Sequence, residues 1–390
     1  MKKNVLVRAA LLCSVFTLGS VAAQAQDAPV LSPALSGPLA GNAEPYSFDF
    51  TDGPLGGLFG KTYVTGAVTG FGQLQNHPVG GDDKSWADLS NAQVFIQKVD
   101  GFLQYYIQAG AYSIPSLGVP YFKASTVTDA TFGVLPQAYI KLAPTDSFSV
   151  VAGKIPTLIG AEYTFSIQNM NIQRGLLWGQ ENAVNRGVQV NYAAGPFSAS
   201  VSWNDGFYSN RLSWLSALVA WTIDENNILA IAGGGNADNG SLSSSATPLN
   251  YNNEDIYNLM YTYTNGAVTI APYLQYSRVP VNLANGVTAP GKTLAAAVLT
   301  KFTMSENVSL AVRGEYIKSK GGAGAPNLLY GVGSKAWSLT ATPTYQEGIF
   351  FARLEGAYVK AVSATPGSAF GPAGTDTSQL RAVAEVGVLF

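Results

Sequence analysis

The chain is predicted to form an antiparallel β-barrel that spans a membrane, and three observations carry that prediction. From about Gly60 to the last residue, apolar and polar residues alternate with period two in segments of about ten residues. Short connections rich in Gly, Asn and Asp take turns with longer ones between those segments. Charged residues make up only 12% of the chain, yet beyond residue 26 no window is long and apolar enough for a membrane helix. The apolar residues are spread one at a time, as a half-lipid-facing strand requires.

The N-terminus, "MKKNVLVRAALLCSVFTLGSVAAQAQD", places Lys2, Lys3 and Arg8 before an apolar run and ends in small residues at Ala23 and Ala25. That layout is a secretory signal peptide over residues 1–25, cleaved after Ala25. Cys13, the only cysteine, lies within it, so the mature chain has no disulfide, thiol nucleophile or cysteine metal site. Losing the three basic residues leaves 19 Lys plus Arg against 24 Asp plus Glu, a formal net charge of −5 that argues against nucleic acid as a partner. Residues 26–58 are rich in Pro, Gly and Ala without a sustained period and read as a flexible periplasmic leader; the barrel is expected over 59–390.

Turn chemistry then fixes the strand count. "VDG" at 99–101, "APTD" at 143–146, "AAGP" at 193–196, "DEN" at 224–226, "TNG" at 264–266, "SEN" at 305–307 and "QEG" at 346–348 are hairpin turns. Eight longer connections fall near 75–88, 111–132, 155–184, 205–211, 236–252, 279–290, 319–331 and 361–379. Seven short turns and eight long loops imply about sixteen strands, with short periplasmic turns, long extracellular loops and both termini on the periplasmic side.

Several strands show their two faces. In "NVSLAVRGEYIK", Val308, Leu310, Val312 and Tyr316 oppose Ser309, Ala311, Arg313 and Glu315. In "FFARLEGAYV", Phe350, Ala352, Leu354 and Tyr358 oppose Phe351, Arg353 and Glu355, and in "FSASVSWN" Phe197, Ala199, Val201 and Trp203 oppose serines and Asn204. A soluble sandwich would alternate too, but so many near-equal strands joined by hairpins make an open sheet too wide to stay unclosed. Hydrocarbon also demands closure, since an edge there cannot be bonded by water. A barrel of eight strands is filled by side chains, whereas about sixteen leave an aqueous channel, so an open pore follows from the count.

The last strand, "LRAVAEVGVLF", sets Leu380, Ala382, Ala384, Val386 and Val388 on one face and stops on Phe390. It resembles the C-terminal signal that Gram-negative outer-membrane barrels present to their assembly machinery. The connection at 155–184 is the longest, and its stretch "EYTFSIQNMNIQRGLLW" mixes apolar anchors with Glu162, Arg174 and amides, as a loop held inside a barrel would need. Tyr163, Phe165 and Ile167 repeat with period two, while Phe165, Ile172 and Leu176 could share one side of a short helix.

Around that stretch, "GKIPTLIGAEYTFSIQNMNIQRGLLWGQENAVNRGVQVNY" at 153–192 resembles the signature of the OmpL-like outer-membrane β-barrel porin family of Gram-negative bacteria. The matching residues are Gly153, Lys154, Gly160, Glu162, Asn169, Asn171, Arg174 and Gly187; the family often has a proline between positions matching Glu162 and Asn169, and "YTFSIQ" has none. The resemblance implies an outer-membrane porin passing small hydrophilic solutes or ions, and in general porins the third loop folds inward and narrows the pore. Glu162, Asn169, Asn171, Arg174 and Glu181 of the loop, with the inward-facing Arg313, Glu315, Arg353, Glu355, Arg381 and Glu385, are the candidate constriction and selectivity residues. Arg-x-Glu on one strand face is equally a pattern of ion pairs that brace a wall, and wall charges can serve both purposes.

The implied partners are outer-membrane lipid, the barrel assembly machinery through Phe390, and the permeating solute. General porins are often trimers, so a homotrimer is the assembly to test, although no interface signal separates from the lipid-facing surface. No nucleotide motif or cofactor signal is present, and no metal set forms around the sole histidine, His77, beside Asp82 and Asp83 in a loop. A barrel protease or lipase would need a catalytic histidine on the barrel, and His77 has no Ser partner nearby. A receptor or adhesin rests on the long loops alone. Tyr-rich strands such as "LQYYIQAGAY" and "DIYNLMYTYTN" could form aromatic tracks for sugars, though interfacial girdles are the commoner use.

Overall fold

The computed structural model describes residues 38–39, 41, 43–237, 255–326 and 329–390. The expected signal peptide, the expected leader up to residue 37 and most of the loop expected at 236–252 lie outside the described residues. Among the described residues seventeen strands form: β1 (Tyr46–Asp49), β2 (Lys61–Gln75), β3 (Ser85–Lys98), β4 (Leu103–Tyr112), β5 (Gln137–Thr145), β6 (Phe148–Pro156), β7 (Val184–Ala194), β8 (Phe197–Asn204), β9 (Trp214–Thr222), β10 (Asn227–Asn236), β11 (Asp255–Thr264), β12 (Val268–Val279), β13 (Gly291–Thr303), β14 (Val308–Gly321), β15 (Lys335–Glu347), β16 (Phe350–Val362) and β17 (Ser378–Leu389).

β2 to β17 pair antiparallel in sequence order, and β17 returns to β2 through the register Arg381↔Gln75 to Leu389↔Ala67, which closes a sixteen-stranded barrel. Every expected hairpin turn falls at the junction of two paired strands, several overlapping the end of the first by one to three residues, because each holds the Gly, Asn or Asp that a tight reversal requires. At the seam the Gly66 N–H donates to Phe390 O at 2.6 Å and the Phe390 N–H to Gly66 O at 2.9 Å. A side chain on Gly66 would run into the Phe390 ring. Gly66→Val is therefore expected to destabilise the closed barrel by roughly 1–3 kcal/mol, the usual cost of overpacking. A lower temperature for the heat-induced shift in gel mobility would register the change.

The outer surface is apolar, with exposed Val201, Val219, Leu274, Leu339 and Leu354 at mid-height. Aromatics flank that band. Tyr192, Phe197, Trp221 and Phe350 lie toward the short-turn end, and Trp203, Tyr257 and Trp337 toward the long-loop end. The amphipathic Tyr and Trp rings among them suit the two lipid headgroup levels. The tyrosines of β11 belong to this outer face, since its buried, inward residues are Ile256, Asn258, Met260, Thr262 and Thr264. On β4, by contrast, Tyr106 stacks on Tyr139 at 5.3 Å and Tyr112 is fully buried.

Part of the stretch expected to be a flexible leader takes regular structure. β1 pairs with the start of β2 through Tyr46↔Val64 to Asp49↔Lys61, so it occupies the edge of β2 just below the point where β17 ends. A helical turn, α1 (Gly56–Phe59), reverses the chain into β2. Further back, Leu39 is only 3% exposed, and the Lys301 Nζ of β13 donates to the Pro38 carbonyl at 3.0 Å.

Candidate functional site

Three of the last four strands carry inward Arg and Glu residues, and the connection between β6 and β7 lies against them. β14 supplies Arg313 and Glu315, β16 Arg353 and Glu355, and β17 Arg381 and Glu385, because each pair occupies alternate positions of a two-residue repeat. All six are at most 5% exposed. The connection is irregular rather than a strand or a helix: its only regular pieces are 3-10 turns at Ser166–Gln168 and Trp178–Gln180.

Apolar side chains seat it. Phe165 meets the edge of Tyr112 at a centroid distance of 5.1 Å, Ile172 packs with Phe71 and Val383, and Met170, Leu176 and Leu177 join the main interior cluster. Charged wall residues then satisfy its backbone. Glu355 accepts from Ile172 N at 2.6 Å, Gln173 N at 3.2 Å and Gln173 Nε2 at 2.9 Å. Arg353 donates to Asn169 O at 3.0 Å and Ser166 O at 3.2 Å while pairing with Glu385, whose Oε1 accepts from Ser166 Oγ at 3.0 Å. Arg313 donates to Gln173 O at 2.8 Å and pairs with Glu162 at 2.6 Å and Glu315 at 3.2 Å. Irregular backbone inside a barrel has no ladder of its own, and charge-assisted hydrogen bonds are the strong way to replace one.

Arg381 fastens two connections together. It donates to Ser116 O at 2.8 Å and Val119 O at 2.7 Å in the β4–β5 connection, and to Gln173 Oε1 at 3.1 Å in the β6–β7 connection. The two connections also join through Arg174 N to Pro115 O and Leu117 N to Arg174 O, each at 2.9 Å. The β4–β5 connection holds α2 (Ala124–Ala130), whose first N–H donates to Asp88 Oδ2 at 2.6 Å.

The candidate residues of the loop sort by what they touch. Glu162 accepts from Arg313 and, through Oε2, from Gly175 N at 2.8 Å. Asn169 braces the loop internally, accepting from Tyr163 N at 2.8 Å and donating to Tyr163 O and Phe165 O. Asn171 donates to Thr342 Oγ1 of β15 at 2.7 Å. Arg174 is fully buried, its guanidinium has no hydrogen-bond partner among the described residues, and its charge faces Glu162, Glu385 and Glu355. Glu181 lies two strands along the wall from β14, where Tyr273 and Gln275 of β12 donate to it. The carboxylate packs against Gly160, whose φ of +88° and bare Cα leave no room for a side chain there.

Gln173, Ser166, Tyr273 and Gln275 were not among the sequence candidates. The two on β12 had a signal: in "TIAPYLQYSRV" the same face carries Ala271, Tyr273, Gln275 and Ser277. Beside that face a small, partly open pocket lies between the loop and the wall, lined by Ala161, Tyr163 and Met170 of the loop, Ala271 and Leu299 of the wall, and Pro38.

A closed sixteen-stranded barrel with a lipid-facing belt and an inward third loop defines a porin of the Gram-negative outer membrane. Residues 61–390 match the family model described as "Putative beta-barrel porin-2, OmpL-like", and the chain belongs to that family. Among solved structures it is similar to the outer membrane channel DcaP of Acinetobacter baumannii, with TM-score 0.57, 10% identity and 84% of this chain and 97% of that one covered. OmpT of Vibrio cholerae in a trimer form gives TM-score 0.56 at 12% identity over 84% and 99% of the two chains. OmpF of Salmonella typhi gives 0.54 at 12% identity over 85% and 98%. At these identities the likeness is one of fold. No curated protein matches the chain.

Proposed function

We propose that the protein is a passive diffusion channel for small hydrophilic solutes or ions, constricted by the connection between β6 and β7. The observation that carries the reading is the fastening of this loop to the Arg and Glu residues of β14, β16 and β17, which leaves its other side facing the Ala-rich wall of β12 and β13. The permeating lane runs along that second side. The wall charges act first as anchors of the loop and only through it on the solute, since their polar atoms are engaged by loop backbone. The reading is of a channel and not an enzyme: His77 sits at the rim, its Nδ1 bonded at 2.9 Å to the backbone carbonyl of Ser378 and not to a serine hydroxyl.

A homotrimer is proposed with it, on the trimer form described for the Vibrio cholerae OmpT barrel. Recognition of Phe390 by the assembly machinery and cleavage of the signal at Ala25 belong to the same reading. The purified mature protein in a planar bilayer is expected to give discrete, stable current steps. A folded barrel that gives none would overturn the proposal in favour of a receptor or a closed barrel.

A further inference from the structure

We infer that the lumen holds a subsite for an organic cation carrying a primary ammonium group, built by Glu181 with Gln180 of the third connection, Tyr273 and Gln275 of β12, and Asn258 of β11. The inference rests on the channel reading and names the class of solute its lane favours. From the periplasmic to the extracellular end, the inward face of β12 presents Ala271, Tyr273, Gln275 and Ser277. Its lower end borders the pocket beside the loop, and the Glu181 carboxylate lies against its middle. Asn258 stands directly opposite Gln275 in the strand register, and Ser277 Oγ approaches Gln180 Oε1 at 3.4 Å.

Charge selects the ligand. Among the described residues Glu181 receives hydrogen bonds from the neutral Tyr273 and Gln275, and the carboxylates of Glu162 and Glu315 are its nearest charges. Arg313 already pairs with both of those. Even with Arg174 counted beside Glu162, three carboxylates face two guanidinium groups, so an anion is repelled. A neutral polyol would leave the surplus charge in place.

Unpartnered atoms give the ligand its shape. Among the described residues Glu181 Oε2, Gln275 Oε1 and Asn258 Oδ1 are acceptors without a donor, and Asn258 Nδ2 and Gln180 Nε2 are donors without an acceptor. Their residues are all more than nine-tenths buried. Buried polar atoms are favoured when bonded, and an ammonium group brings several N–H donors together with the missing charge. A solute with a hydroxyl or carbonyl near its ammonium would also answer the two free donors.

The test is a set of bilayer recordings on the mature protein, Glu181→Gln and Glu181→Asp, in a potassium chloride gradient around 0.1 M, with putrescine as the probe in one chamber. The wild type and Glu181→Asp are expected to prefer cations and to show current interruptions that scale with putrescine. Glu181→Gln should lower the cation-to-anion permeability ratio about fivefold, the effect of one unit charge at contact distance in water, and abolish the interruptions. Near 1 M salt the difference should shrink. Discrete steps with the same reversal potential and the same interruptions in Glu181→Gln would overturn the subsite and leave the channel standing. An absence of steps in the wild type would instead overturn the channel reading.

Discussion

Replacing Glu355 with alanine is expected to raise the single-channel conductance on the order of twofold and to make the open current noisy, while the barrel itself stays folded. Glu355 is 2% exposed and holds the middle of the third connection through three donors of Ile172 and Gln173, with Thr342 Oγ1 as a fourth at 2.8 Å. Each backbone N–H left unsatisfied by the substitution costs roughly 1–3 kcal/mol in that position, so the segment gains by leaving the wall for water. The strand ladders of β15, β16 and β17 lose none of their own bonds, which is why the effect falls on the loop rather than on the barrel. Arg353→Ala should act in the same direction, because it releases Asn169 O and Ser166 O and leaves the Glu385 charge unpaired. Faster proteolysis of the Glu355→Ala protein within 157–183, at unchanged gel mobility of the unheated barrel, would identify loop release. Unchanged conductance would mean that the loop does not set the width of the pore.

The strands and connections were legible because a two-residue repeat survives any local detail. In "FFARLEGAYV" the outward Leu354 and the inward Arg353 and Glu355 can be assigned without knowing what lies inside the barrel. The partners of the inward charges were not legible. Arg353 and Glu355 could have faced water, each other or a loop, and the backbone carbonyls and N–H groups that they meet carry no side-chain signature. Asn169 and Asn171 read as pore-facing amides for the same reason, yet one braces its own loop and the other reaches Thr342. Tyr273 was hidden among tyrosines that face lipid, and only its place in the β12 alternation distinguishes it. β1 is four residues long and wholly exposed, too short to show a period, and its existence depends on an edge of β2 that the C-terminus leaves free.

Removing residues 26–44 from the mature protein is expected to raise the conductance further and to suppress brief closures. Pro38 lines the pocket beside the loop, its carbonyl accepts from Lys301 Nζ, and Leu39 belongs to an interior cluster with Phe351 and Leu389 near the periplasmic end. Burying Leu39 contributes roughly 1.5–3 kcal/mol. The hydrogen bond to Lys301 adds about 1 kcal/mol. Ordering Pro38 and Leu39 costs about 1–2 kcal/mol for each backbone unit, so the net gain is small and the two residues should enter and leave the mouth. The truncation keeps β1 and its four pairs with β2, so the barrel edge stays covered. Lys301→Ala should shorten the closures without removing them, since the apolar contact of Leu39 persists. If the truncated protein kept the conductance and closures of the full mature chain, residues 38–39 would have no part in gating the lane. If closures vanished while the putrescine block at Glu181 remained, gate and subsite would be separate parts of one pathway, with the leader acting at the mouth and the carboxylate at the narrows.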